Sequence, residues 1–194
     1  MKLIAGGIIG LHLILNFPFC VDAQQRVPTF TYNLGGMPIS CSIYRNQASL
    51  NGIHVGDSLE TVREKMGQAS FVSKRGGILE YTYKDDFKIS FASFGTNESY
   101  VVFQMKTDWN SLTASTMDGV KVGMPETVLT QIYGVADNID IRQSKAPKLS
   151  LEQNEKYQKR LDKTVYTYNS DECLSMSFIV KNGMIDAIEI YQSE

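Results

Sequence analysis

The sequence predicts an α+β fold: two tandem helix–β–β–β repeats, an antiparallel sheet with its helices on one face, and an N-terminal β-hairpin before them. Three observations predict it. The stretch Gly52-Ile53-His54-Val55-Gly56-Asp57-Ser58-Leu59-Glu60-Thr61-Val62-Arg63-Glu64-Lys65-Met66-Gly67 recurs sixty-seven residues on, with glycines again at Gly119, Gly123 and Gly134. After each copy the hydrophobic period changes from helical to two. The pattern Tyr81-Thr82-Tyr83 then returns as Tyr166-Thr167-Tyr168, eighty-five residues on.

Each copy reads as one short amphipathic helix between glycine stops. Leu59, Val62 and Met66 share a helical face in the first, and Val128, Leu129, Ile132 and Tyr133 in the second. Asp57 with Glu60 fits a capping box, and Pro125 suits a first helical position, where its missing N–H costs nothing. Gly67 and Gly134 stand where a helix closes with a left-handed residue, a conformation that glycine adopts cheaply.

The strands follow from alternation. Residues 79–83, 87–91 and 100–105 read as a meander in the first copy, with Gly95-Thr96-Asn97-Glu98 as a turn. In the second, Lys181-Asn182-Gly183 is a tight hairpin turn of Asn-Gly chemistry. The eighteen residues that separate the two offsets fall in a charged insertion at 138–163. Ahead of the repeats, residues 28–44 read as a hairpin turning at Gly35-Gly36. The resulting division is 1–23 signal peptide, 24–50 hairpin and linker, 51–109 first repeat and 110–194 second repeat.

Lys2, an uncharged run to Phe19 and the small residues of Val21-Asp22-Ala23 read as a secretory signal cleaved before Gln24. A run that short, holding His12, Asn16 and Pro18, does not suit a spanning helix. Cys20 follows the bulky Phe19, which does not suit lipidation. These features predict an exported chain, periplasmic or extracellular, with no stable membrane anchor after cleavage. Two cysteines remain, Cys41 and Cys173, and an even pair in an exported chain suggests a disulfide. Strand parity places Cys173 on a polar face and Cys41 in phase with Ile39 and Ile43, which argues against a simple cross-sheet bond, so both readings stay open. With 43% hydrophobic and 21% charged residues and a net charge of −2, the chain has no basic field to attract nucleic acid.

Gly-x-x-Val-Gly-x-[Ser/Pro], a short helix closing in Gly, then Tyr-x-Tyr and further strands resembles the beta-lactamase inhibitory protein family in tandem form. It is also similar to the SmpA/OmlA-type envelope lipoproteins that assist outer-membrane protein assembly. The resemblance covers residues 51–191. It implies repeats packed side by side, helices on one side of a curved sheet, and a function of binding other proteins without catalysis.

Catalytic constellations are not evident in the sequence, and neither an enzymatic activity nor a cofactor is expected. His54 is the single histidine after the signal, too few for a zinc site with two distant cysteines, and no Gly-x-Ser-x-Gly elbow accompanies it. Asp85-Asp86 and Asp171-Glu172 mark strand turns, lacking the alternating oxygen ligands of a calcium loop. Parity supplies the candidate site. With Tyr81, Tyr83, Ile89, Phe91, Phe103 and Met105 facing the helices, the opposite face carries Lys88, Ser90, Tyr100, Val102 and Gln104, then Ser175, Ser177, Ile185, Glu189 and Tyr191. Small polar residues rimmed by tyrosine fit a docking surface. A plain solvated sheet face fits the same pattern. Trp109 reads either as a binding anchor or as cover for the seam between the repeats. The expected function is a non-enzymatic module that binds another protein through Lys88, Ser90, Tyr100, Trp109, Ser175, Ser177 and Tyr191. The alternatives are an envelope structural or assembly factor and, further off, a hydrolase.

Overall fold

The computed structural model of the chain describes residues 30–34, 37–93, 99–142, 162–170 and 174–192. Strands β1 (Phe30–Leu34) and β2 (Met37–Cys41) form an antiparallel hairpin. The short β3 (Ser49–Leu50) and β4 (Ile53–His54) lead into α1 (Leu59–Met66), which is followed by β5 (Phe71–Arg75), β6 (Ile78–Thr82), β7 (Lys88–Ser93) and β8 (Tyr100–Lys106). Helix α2 (Thr127–Tyr133) precedes β9 (Asn138–Arg142), β10 (Lys163–Asn169), β11 (Leu174–Lys181) and β12 (Met184–Gln192). The protein is α+β, and β5 to β12 make one eight-stranded antiparallel sheet in the order β5-β6-β7-β8-β12-β11-β10-β9. The signal segment, the Gly35-Gly36 and Gly95-Thr96-Asn97-Glu98 turns, most of the 138–163 insertion and Asp171-Glu172-Cys173 lie outside the described residues, so of the two cysteines Cys41 alone is described.

Four strands follow each helix where the alternation predicts three. The two that pattern reading omits, β5 and β9, are the outer strands of the sheet, and their residues are mostly exposed. Strand β5, wet on both faces, carries no clear period, whereas β9 alternates but lies in a segment that reads as a charged insertion. The charged insertion therefore begins after a strand that occupies its first five positions.

One face of the sheet is the core. A cross-strand row runs Val72, Tyr81, Ile89, Met105, Ile190, Met176, Tyr168, and both helices pack over that face. Val62 of α1 is buried there, and the Arg63 guanidinium donates to the Tyr81 hydroxyl at 2.6 Å. Under α2, Tyr133, Tyr168 and Phe178 form a ring cluster with centroids 5.2 to 5.9 Å apart. Ring pairs of this kind contribute about 0.5–1.5 kcal/mol beyond their burial. Of the expected helical stripe, Ile132 alone turns to solvent, at 36% exposure.

Two bulges shift the parity that period-two reading assumes. Between Ser90 and Phe91 the partner jumps from Gln104 to Val102, so Phe103 is the extra residue of β8. Between Ile179 and Val180 it jumps from Ala187 to Ile185, so Asp186 is the extra residue of β12. An extra residue flips every side chain on one side of it to the opposite face. Val102 and Ile185, expected on the open face, are therefore in the core, at 1% exposure each. Phe103, expected under the helices, lies on the open face.

The backbone around the glycines is nearly the same in both halves. Gly56 N–H donates to Val102 C=O and Val102 N–H to Asp57 C=O; Gly123 N–H donates to Ile185 C=O and Ile185 N–H to Met124 C=O. Gly56 has φ 93° and Gly123 φ 85°, conformations a side chain rarely takes. The helices close alike on Gly67 (φ 74°, ψ −151°) and Gly134 (φ 76°, ψ −149°). The caps at the other end differ from expectation. Ser58 rather than Asp57 caps α1, its hydroxyl accepting the Thr61 N–H at 3.2 Å. Asp57 instead accepts from the His54 N–H and the Lys65 ammonium. Pro125 lies just outside α2, its carbonyl accepting from Val128.

Candidate functional site

The helix-free face holds a trough of about 650 Å³ across the second half of the sheet. Its floor comes from alternate residues of three neighbouring strands: Ser175, Ser177 and Ile179 of β11, Val165, Thr167 and Asn169 of β10, and Glu189 and Tyr191 of β12. Asn138, Asp140 and Arg142 of β9 form one wall, with Phe103 and Gln104 of β8 on the other side. Small residues in the middle leave the space, because β11 carries Ser at two successive outward positions.

The polar groups of the trough are organised into pairs. The Thr167 and Ser177 hydroxyls lie 3.0 Å apart, and the Ser175 hydroxyl donates to Asn169 Oδ1 at 2.9 Å. Gln104 Nε2 donates to Glu189 Oε1 at 2.6 Å across the β8–β12 junction. Arg142 Nε donates to Asp140 Oδ2 at 2.6 Å, and the bond and charge of Asp140 hold the guanidinium above its usual range. Such a lining presents hydroxyl and amide groups, the Asp140 and Glu189 carboxylates and the Arg142 guanidinium, with apolar patches at Phe103, Ile179 and Tyr191.

Of the residues singled out from sequence, Ser175, Ser177 and Tyr191 line this trough. Ser90 and Lys88 lie on the same face in the first half, in rows with Gln104 and Lys106. Tyr100 does not belong with them. The β8 bulge puts it on the helix side, half-buried against the core with Lys74 Nζ 5.5 Å from its ring centre. Trp109 lies beyond β8 and is 64% exposed, so it does not cover a seam between the halves. Its segment is pinned by Ser111, whose hydroxyl donates to Asp85 C=O at 2.5 Å, and by Thr113, whose hydroxyl donates to Asp85 Oδ2 at 3.0 Å.

The serines are deeper than outward parity implies: Ser90, Ser175 and Ser177 are only 5–8% exposed. Longer neighbours shield them, Ser177 standing between Thr167 and Glu189. A carboxylate placed there would be buried without a partner and would weaken the sheet itself. Sequence reasoning missed Asn138, Asp140 and Arg142, although the alternation Asn-Ile-Asp-Ile-Arg was a usable strand signal.

No family model, curated protein or solved structure matches the chain. Within the described residues no group of three His, Cys, Asp or Glu is placed to hold a metal, and no helix is long and apolar enough to cross a membrane. His54 is part-exposed at the end of β4, with Nδ1 4.0 Å from Asp57 Oδ2. Cys41 is buried at the end of β2, where the following Ser42 and Ile43 N–H groups both donate to the Asn169 carbonyl.

Proposed function

We propose that the chain is an exported, non-enzymatic module that docks a partner protein on the helix-free face of its sheet. The trough carries this reading. It runs across strands, lacks an enclosing wall of helices among the described residues, and combines hydroxyl and amide groups with exposed aromatic area. Fully charged residues are few at its centre, which is the composition of an interface core. Export rests on residues 1–23 and the Val21-Asp22-Ala23 cleavage pattern.

The chain also reads as two copies of one unit, in which a helix between glycines leads into a strand meander. The matched hydrogen bonds of Gly56 and Gly123, the matched closing glycines and the two bulges support that reading. A likeness to the beta-lactamase inhibitory protein family adds the expectation that the sheet, not the helices, meets the partner.

The test is capture of a partner from the cell envelope by the mature chain and by Thr167→Arg. Thr167 is half-buried in the trough, so a long cation fills it while the core face is untouched. Capture should fall at least about ten-fold, the effect of losing one interface anchor, with the thermal midpoint little changed. Wild-type capture by this variant would move the docking surface elsewhere.

A further inference from the structure

Lys88 of β7 and Lys106 of β8 stand directly opposite each other on the helix-free face. The cross-strand row through them is Thr82, Lys88, Lys106, Glu189, Ser177. Like charges paired in this way oppose sheet formation, and a neighbouring carboxylate would normally relieve them. Here none does. Glu189 is next to Lys106 in the row, yet its carboxylate is engaged by the Gln104 amide at 2.6 Å. Among the described residues the ion pairs are His54–Asp57, Lys65–Asp57, Arg142–Asp140 and Lys181–Asp186, so neither lysine has a partner within 4.0 Å. Lys106 is exposed and Lys88 half-buried, on ground continuous with the trough through Gln104 and Glu189.

We infer that the docked segment is an acidic stretch of protein, seated with carboxylates over Lys88 and Lys106 and uncharged side chains in the trough. The inference rests on the open-face reading above and adds the chemistry of the occupant. The two ammonium groups are cross-strand neighbours, about 5 Å apart at Cβ, so one carboxylate can bridge them or two adjacent ones can each take one. A phosphate polymer fits less well. Glu189 borders the lysines, the other cross-strand cation pair of this face among the described residues, Arg142 and Lys163, stands away at the β9–β10 edge with Arg142 bound to Asp140, and the whole chain is at −2, whereas a nucleic acid site needs a continuous basic stripe.

Random peptides displayed on phage are selected against the mature chain, and the tightest is measured with wild type, Lys88→Gln/Lys106→Gln and Thr167→Arg at low and high salt. The selected peptides should be rich in Asp and Glu. The double lysine variant should bind about ten-fold more weakly and lose most of the salt dependence. Lys106→Gln alone should leave the thermal midpoint equal or higher, because it removes a repulsion. Neutral or basic peptides, acidic peptides held equally by the double variant, or displacement by a single-stranded oligonucleotide at equal concentration would each overturn the inference. Peptides lost with Thr167→Arg but indifferent to the lysines leave the docking face standing and remove only its acidic occupant. Peptides indifferent to both sets remove the face as well.

Discussion

Lys106 and Glu189 meet at the middle of the sheet, and they hold matching places in their halves. Each lies three residues past its own bulge residue, Phe103 or Asp186. Met105 pairs with Ile190 on one side of them, while on the other Thr107 N–H donates to Ile188 C=O and Ile188 N–H to the Thr107 hydroxyl. The pairing of β8 with β12 is arranged symmetrically about this point. Their skeletons agree where backbone chemistry decides: left-handed glycines, bulges, closing turns. They disagree where side chains meet solvent. Lys88 stands opposite Lys106 in one half, and Ser177 opposite Glu189 in the other. The β5–β6 turn is two glycines, whereas β9 and β10 are joined by residues 143–162. Geometry can thus be held constant while recognition varies.

The largest effect should come from asking whether the halves are separate. Phe91→Ala in the first and Phe178→Ala in the second each empty a fully buried ring site, at about 3–5 kcal/mol. Because the core face is continuous, either variant should lower a single transition followed by fluorescence and circular dichroism in urea. Two transitions, one per variant, would break the description of one shared core.

Alkali should act chiefly on the second half. Burial pushes the Tyr133 and Tyr168 phenols well above 10, Tyr133 being partly offset by its Thr116 bond. A raised folded-state value means that the unfolded chain loses these protons first. Stability is then full below about pH 10 and falls as pH rises above it, by about 1.4 kcal/mol per pH unit for each phenol. Thermal midpoints between pH 8 and 12 should drop less steeply in Tyr168→Phe. An unchanged slope would assign the loss to other groups.

Gly56→Ala and Gly123→Ala should cost about 1–3 kcal/mol each from left-handed backbone strain. An added Cβ meets nothing nearer than Arg45 at 4.0 Å in one case and nothing within 4 Å in the other, so crowding contributes little. Equal losses in chemical denaturation would sharpen the equivalence of the two sites. The smallest effect separates two tyrosines. Tyr133→Phe loses a 2.9 Å bond to Thr116, about 1 kcal/mol, whereas the buried Tyr83 hydroxyl has no partner and Tyr83→Phe should be within about 0.5 kcal/mol of zero.

The fold class and most inner strands were legible because glycine spacing and two-residue alternation report backbone and burial directly. Tyr81, Ile89, Phe91, Met105 and Met176 fall where alternation puts them. The bulges were not legible: an extra residue leaves no mark in composition, yet Phe103 reversed Tyr100 and Val102, and Asp186 reversed Ile185. Outer strand β5, Phe-Val-Ser-Lys-Arg, gives no clear period because neither of its faces is buried. Part of the trough was therefore visible, as Ser175, Ser177 and Tyr191, and the β9 wall was hidden inside what reads as a charged insertion.

Strand β12 is the twelfth strand along the chain, yet it lies between β8 and β11 in the centre of the sheet. A growing polypeptide would make seven of the eight sheet strands before the one that joins them. Until then β8 and β11 each keep an unpaired edge, and the contact that unites the halves spans more than eighty residues. Such distant closure slows folding. The β5–β8 meander can pair as it emerges, but the sheet should close across its middle only at the end of synthesis.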